Sequence, residues 1–239
     1  MNTIDACQDT DYLQDFLKIK NQLHILYSQS TITFFFPVLA AFCLGIVIWD
    51  IAIRQILYIW GAVVISHALL RYFLLWQYWH TDITPDNASS WLTFFILAAI
   101  TSGIIWGTAG IILVPYDTGK IIQFTMYNSL TILIICGLVA GAVISYSVNM
   151  WVLFSYSFPT LMPPAFYLIS LGDNINSALG GFILIFYLFI TVAAYRMNSQ
   201  FMYYMDMEYQ QKKIERHYVA LNSMYNDMRE AMKKKIFLR

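Results

Sequence analysis

Residues 91–114 read WLTFFILAAITSGIIWGTAGIILV, a run without one charged side chain. About 20 apolar residues suffice to cross the roughly 30 Å hydrocarbon core of a bilayer as a helix. In lipid every backbone N–H and C=O must be satisfied within the segment, so such a run has to be helical. The alternating ten-residue segments of a membrane β-barrel are not seen. Working outward, five further predominantly apolar runs occur at residues 31–49, 55–76, 121–146, 150–170 and 177–195, with Arg71 the one charged residue inside them. The sequence therefore predicts an all-α integral membrane protein with six transmembrane helices joined by short connections.

Composition points the same way. Of 239 residues, 59% are hydrophobic, 17% aromatic and 12% charged, against roughly 25% charged in ordinary soluble domains. The 14 basic and 14 acidic residues cancel, which argues against a nucleic-acid partner, since that would call for a basic excess. The three cysteines, Cys7, Cys43 and Cys136, are far apart and suggest neither a disulfide framework nor a metal site. Residues 1–30 are too polar for a cleavable signal peptide.

Lys and Arg set the expected orientation. Most of them follow residue 195, Lys18 and Lys20 precede the first run, and the odd-numbered connections carry only Arg54 and Lys120. Both termini are expected to be cytoplasmic, in a multi-pass membrane protein with almost no outer loops.

Three domains are expected. Residues 1–30 form an amphipathic cytoplasmic helix, with Leu13, Phe16, Leu17, Leu23 and Leu26 set among charges. Residues 31–195 form the six-helix bundle. Residues 196–239, free of Gly and Pro, form a long polar helix. There Ile214, Leu221 and Met228 recur every seven residues, a heptad pattern that suits a homodimeric coiled coil or a single amphipathic connector.

Inside the bundle, Gly103 and Gly107 form one GxxxG pair and Gly137 and Gly141 another, which predicts close helix packing with span three against span four. Pro159, Pro163 and Pro164 in span five predict a kink or break, either static or part of a switch. His67 and Arg71 share a face of span two. Arg71 is expected to snorkel to the cytoplasmic interface, with His67 deeper as a ligand contact or a hydrogen-bonded neutral ring. Gln123, Tyr127 and Asn128, with Trp106 at comparable depth, line a pocket for an apolar ligand with a polar head, or simply bond between helices. No catalytic constellation, cofactor motif or metal-ligand spacing is seen.

Three stretches together are similar to the six-span membrane input regions of bacterial histidine kinases and diguanylate cyclases: Trp106-Gly107, Gly137 to Gly141, and Pro159 to Pro163. The C-terminal run from Glu230 to Arg239 resembles the opening of a histidine-kinase dimerisation helix, with Lys234, Phe237 and Leu238 matching its K-x-x-F-L pattern. His217 lacks the surroundings of a phosphoacceptor. The resemblance implies a sensing module that passes a ligand- or membrane-induced helix movement to an output domain beyond Arg239. A cyclase input module and a small six-span transporter are the alternatives.

Overall fold

The computed structural model describes the backbone of residues 3–117 and 120–237, and the side chains of residues 16–29, 35–117, 120–208 and 210–229. Six helices account for most of it: α1 (Thr3–Val47), α2 (Arg54–Trp79), α3 (Pro85–Ile112), α4 (Ile121–Tyr146), α5 (Met150–Ser170) and α6 (Asn174–Phe237). No strand occurs among the described residues. The helices α4 and α5 coincide with the apolar runs that predict them.

Five of the helices, α2 to α6, are long and apolar enough to cross a membrane. In α1 the apolar stretch within the described residues is the shorter Phe35–Val47. The expected boundary between residues 30 and 31 falls inside α1, which runs across it as one helix. Large apolar side chains face outward along these helices, among them Ile59, Leu69, Leu133, Phe182 and Phe189. A water-soluble monomer rarely exposes apolar surface on this scale. Hydrocarbon is the solvent that suits it.

Local signals fix the helix ends. Pro85 opens α3, where its missing N–H costs nothing. The Asn87 side chain accepts a bond from the Thr84 N–H at 2.9 Å. Asn149 caps α5 by accepting from the Trp151 N–H at 3.0 Å. Gly172, with φ of 76°, closes α5 in the left-handed conformation that glycine adopts freely. Asp173 then caps α6, accepting from the Asn176 N–H at 3.0 Å and its side-chain amide at 2.8 Å.

Helix α3 lies at the centre and touches α1, α2, α4 and α5, with its broadest contact on α5. The sequence expectation of a span-three to span-four pairing through both glycine pairs is corrected here. A Cβ on Gly103 would lie 2.6 Å from both the Tyr156 carbonyl oxygen and the Pro159 ring, and one on Gly107 would collide with the Pro159 carbonyl oxygen. Gly110 extends the same face, where an added Cβ would lie 2.9 Å from the Pro164 side chain. Around Gly137 and Gly141, by contrast, a Cβ would meet nothing within 4 Å.

The three prolines do not break α5, which stays helical from Met150 to Ser170. Pro163 and Pro164 deprive the carbonyls of Pro159 and Thr160 of their helical donors. Those carbonyls are the ones lying against Gly107. A bare glycine Cα brings weakly polar C–H groups up to oxygens that have lost N–H partners. The proline run and the first glycine pair thus form one interface, which explains why neither disrupts the bundle.

At the end of the bundle formed by the α2–α3 and α4–α5 connections, α1 is seated by an aromatic cluster. Tyr27 stacks on Tyr78 with centroids 3.9 Å apart and meets Phe95 edge-on at 5.2 Å. Its hydroxyl donates to the Trp91 carbonyl at 3.3 Å. Leu23 and Leu26 are fully buried. This part of the amphipathic segment therefore packs on protein.

By internal contacts the chain divides into two units, Met1–Asn198 and Ser199–Arg239. In the second unit Ile214, Leu221 and Met228 are all exposed. Lys212 pairs with Glu208 one turn away at 2.6 Å, and this holds the Glu208 carboxyl below its ordinary range. Leu238 and Arg239 lie outside the described residues, as do the side chains of 230–237.

Candidate functional site

A cavity of about 770 Å³ lies between α1 and α4, within the roughly 300–1,000 Å³ typical of small-molecule sites. Its apolar wall comes from Phe36, Leu39 and Ala40 of α1 and Ile134, Leu138 and Ala142 of α4. Gly137 and Gly141 line it as well. The second glycine pair therefore makes room where the first makes contact. Phe36, Leu39 and Ile144 are at the same time exposed at the bundle surface, so the cavity opens sideways between α1 and α4.

Polar groups gather toward one end of this cavity. They are Gln29, Arg71, Ser102, Ser145, Tyr146 and Tyr156, drawn from all five helices of α1 to α5. Arg71 is buried, with 6% of its surface exposed. Its guanidinium carbon sits 5.5 Å from the Phe95 ring centre and 5.9 Å from that of Tyr146. Tyr146 in turn meets Tyr156 edge-on at 5.5 Å. Cation–π contact with a desolvated guanidinium stabilises such a placement by roughly 2 kcal/mol or more. The expectation that Arg71 snorkels outward is therefore corrected: the side chain turns inward onto aromatic faces.

His67 stands one turn along α2. With Arg71, Ser102 and Trp106 it borders a separate void of about 20 Å³, near the size one water requires. Its Nε2 is buried without a hydrogen-bond partner. Trp106, 1% exposed, meets Trp60 edge-on at 5.3 Å, and Trp60 donates its indole N–H to the Ile105 carbonyl at 3.0 Å.

Of the residues singled out in the sequence, His67, Arg71 and Trp106 thus come together. Gln123, Tyr127 and Asn128 do not join them and line neither hollow. Gln123 is exposed, Tyr127 is half-buried, and Asn128 is buried with its amide nitrogen unpartnered. Gln29, Ser145, Tyr146 and Tyr156 were missed, because no spacing within one helix connects them. A second hollow of about 280 Å³ between α1 and α2, bordered by Phe42, Trp49, Tyr58 and Gly61, carries no charged group among the described residues.

The polar end of the cavity adjoins a hydrogen-bonded junction. Immediately after Ser145 and Tyr146, the chain turns through Ser147 and Val148. The Asn198 side chain of α6 donates to both carbonyls, at 2.6 Å and 3.1 Å. Gln22 of α1 donates to the Val148 carbonyl at 3.2 Å and accepts from the Asn149 amide at 3.2 Å. One turn is thereby held by α1, α6 and the cavity wall together.

Among the described residues no group of His, Cys, Asp and Glu side chains could hold a metal ion. Cys43, exposed, and Cys136 are both free thiols. Comparison with protein-family models, with curated proteins and with solved structures found no match.

Proposed function

We propose that this chain is a membrane-embedded sensing module. It converts occupancy of the α1–α4 cavity into a displacement of α6, read by an output domain that follows in a two-component histidine kinase. The bundle crosses the inner membrane six times, α1 included, with both termini in the cytoplasm. The observation that carries this reading is the Ser147–Val148 turn. It directly follows the cavity-lining residues Ser145 and Tyr146 and is gripped by Asn198 of α6. A ligand that favours one packing of the α4 terminus biases this grip. A difference in affinity for two packings is what any such switch requires. Signals then leave along α6, whose exposed Ile214, Leu221 and Met228 form the seam of a homodimer. The α3–α5 pair, locked glycine against carbonyl, serves as the fixed frame.

Cysteine cross-linking of the full chain in proteoliposomes tests this, with Cys7, Cys43 and Cys136 replaced by serine. Ile214→Cys, Leu221→Cys and Met228→Cys are expected to form disulfide-linked dimers faster than Glu215→Cys and Asn222→Cys. Adding an amphiphile that occupies the cavity is expected to change the ratio between positions. Uniform cross-linking along the helix, or solute flux across the vesicles with no change at the seam, would overturn the reading in favour of a transporter.

A further inference from the structure

We infer that the α1–α4 cavity binds a single-chain amphiphile with an anionic head, such as a fatty acid, which enters sideways from the bilayer. Three observations carry this. The cavity is two-ended, with apolar α1 and α4 side chains along its length and six polar side chains toward one end. Among the described residues its lining holds one cation, the buried Arg71, and neutral groups otherwise. Its lateral opening passes between apolar side chains that also face outward.

The chemistry of the head follows from Arg71. A guanidinium presents a planar fork of N–H donors whose geometry matches a carboxylate or phosphate. In a low-dielectric site an approaching anion gains far more from that charge than it would in water. Hydroxyls of Ser102, Ser145, Tyr146 and Tyr156 and the amide of Gln29 line the same end. They can donate to the remaining lone pairs of the head, as a buried charge requires. The hollow between α1 and α2 has no cation among its described lining residues with which to select an anionic head.

The acyl chain is accommodated by Gly137 and Gly141. A side chain at either position would project into open space, so these glycines widen the cavity without taking part in packing. They offer a variant that fills the site while leaving the helix contacts alone. Cys43, at the α1 wall, offers a reporter inside it.

As the input of a sensor this site rests on the role proposed above; as a binding site it stands independently. The experiment measures binding of radiolabelled palmitate to the full chain in detergent micelles, with unlabelled palmitate, hexadecanol and palmitoyl lysophosphatidic acid as competitors. Saturable binding displaced by palmitate and not by hexadecanol is expected. Stronger displacement by the lysophosphatidic acid would support the same site with a phosphate head as its preferred source. Arg71→Gln is expected to weaken binding at least about tenfold, while Arg71→Lys retains most of it. Gly141→Leu is expected to abolish binding at an unchanged unfolding midpoint, which separates loss of the site from loss of the fold. Occupancy is also expected to slow alkylation of Cys43 in a background where Cys7 and Cys136 are serine. Equal competition by hexadecanol, or binding unaffected by Gly141→Leu, would overturn the inference, and both readouts hold if Arg71→Gln fails to fold. Palmitate binding without any change at the α6 seam would uphold the site and overturn its role as the sensor input.

Discussion

Gly107 of α3 sets its bare Cα against the carbonyl oxygen of Pro159 in α5, an oxygen that Pro163 has left without a helical donor. Any side chain at residue 107 has to push two backbones apart. Gly107→Ala is therefore expected to destabilise the bundle by about 1–3 kcal/mol, the usual cost of overpacking, outweighing the roughly 1 kcal/mol that alanine gains in helix propensity. Gly137→Ala, in open space, is expected to be neutral or mildly stabilising. Thermal unfolding of both variants in detergent checks the contrast, and equal midpoints would refute the assignment of the two glycine pairs.

Removing the Tyr27 ring is expected to loosen α1 from the bundle. The ring is 3% exposed, stacks on Tyr78 and touches Phe95 edge-on. Truncation of a buried aromatic side chain costs about 3–5 kcal/mol. Tyr27→Phe loses only the bond to the Trp91 carbonyl, about 1 kcal/mol. Limited proteolysis ahead of residue 35 reads the effect: Tyr27→Ala is expected to be cut sooner than Tyr27→Phe.

Asn198→Leu removes the donors to Ser147 and Val148. A cost of about 1–2 kcal/mol is expected if both net hydrogen bonds are lost. Its more diagnostic effect is expected on transmission. Palmitate binding should persist while the response of the α6 cross-linking pattern disappears. Loss of binding together with the response would instead give Asn198 a role in shaping the cavity.

The start of α6 is expected to depend on pH through Asp173. Hydrogen bonds from the Asn176 backbone and side chain stabilise its charged form and hold its carboxyl below the ordinary aspartate range. A depressed carboxylate contributes stability above its unfolded-state pKa and loses that contribution as pH falls through its folded-state value. Amides at Asn176 and Ser177 are therefore expected to exchange faster at strongly acidic pH in the native chain. Asp173→Asn, which keeps a cap but not a titrating group, is expected to give a flat profile.

The helices were legible because uninterrupted apolar runs leave little choice in lipid. The limits of α4 and α5 could be read residue by residue. The site was less so. Two glycine pairs of identical spacing do opposite things, and nothing within 103–107 or 137–141 reveals whether the facing surface is backbone or empty space. Arg71 was legible as an intramembrane charge, yet its direction depends on Phe95 and Tyr146, contributed by α3 and α4. Gln29, Ser102, Ser145 and Tyr156 converge only through packing, which no periodicity along one helix encodes. The proline run suggested a kinked or broken helix, since its compensation comes from glycines some fifty residues earlier.

The sideways opening of the cavity changes what counts as dose. A ligand arriving through the bilayer is sampled at its mole fraction among lipids, and the surrounding water acts only as a reservoir. Half-saturation should then track the ratio of amphiphile to phospholipid and stay fixed when vesicles are diluted at constant composition. Two cells exposed to the same medium would differ in occupancy of such a site if their lipids partitioned the amphiphile differently. On the proposed sensing role, such a site would take stock of the composition of the membrane around it.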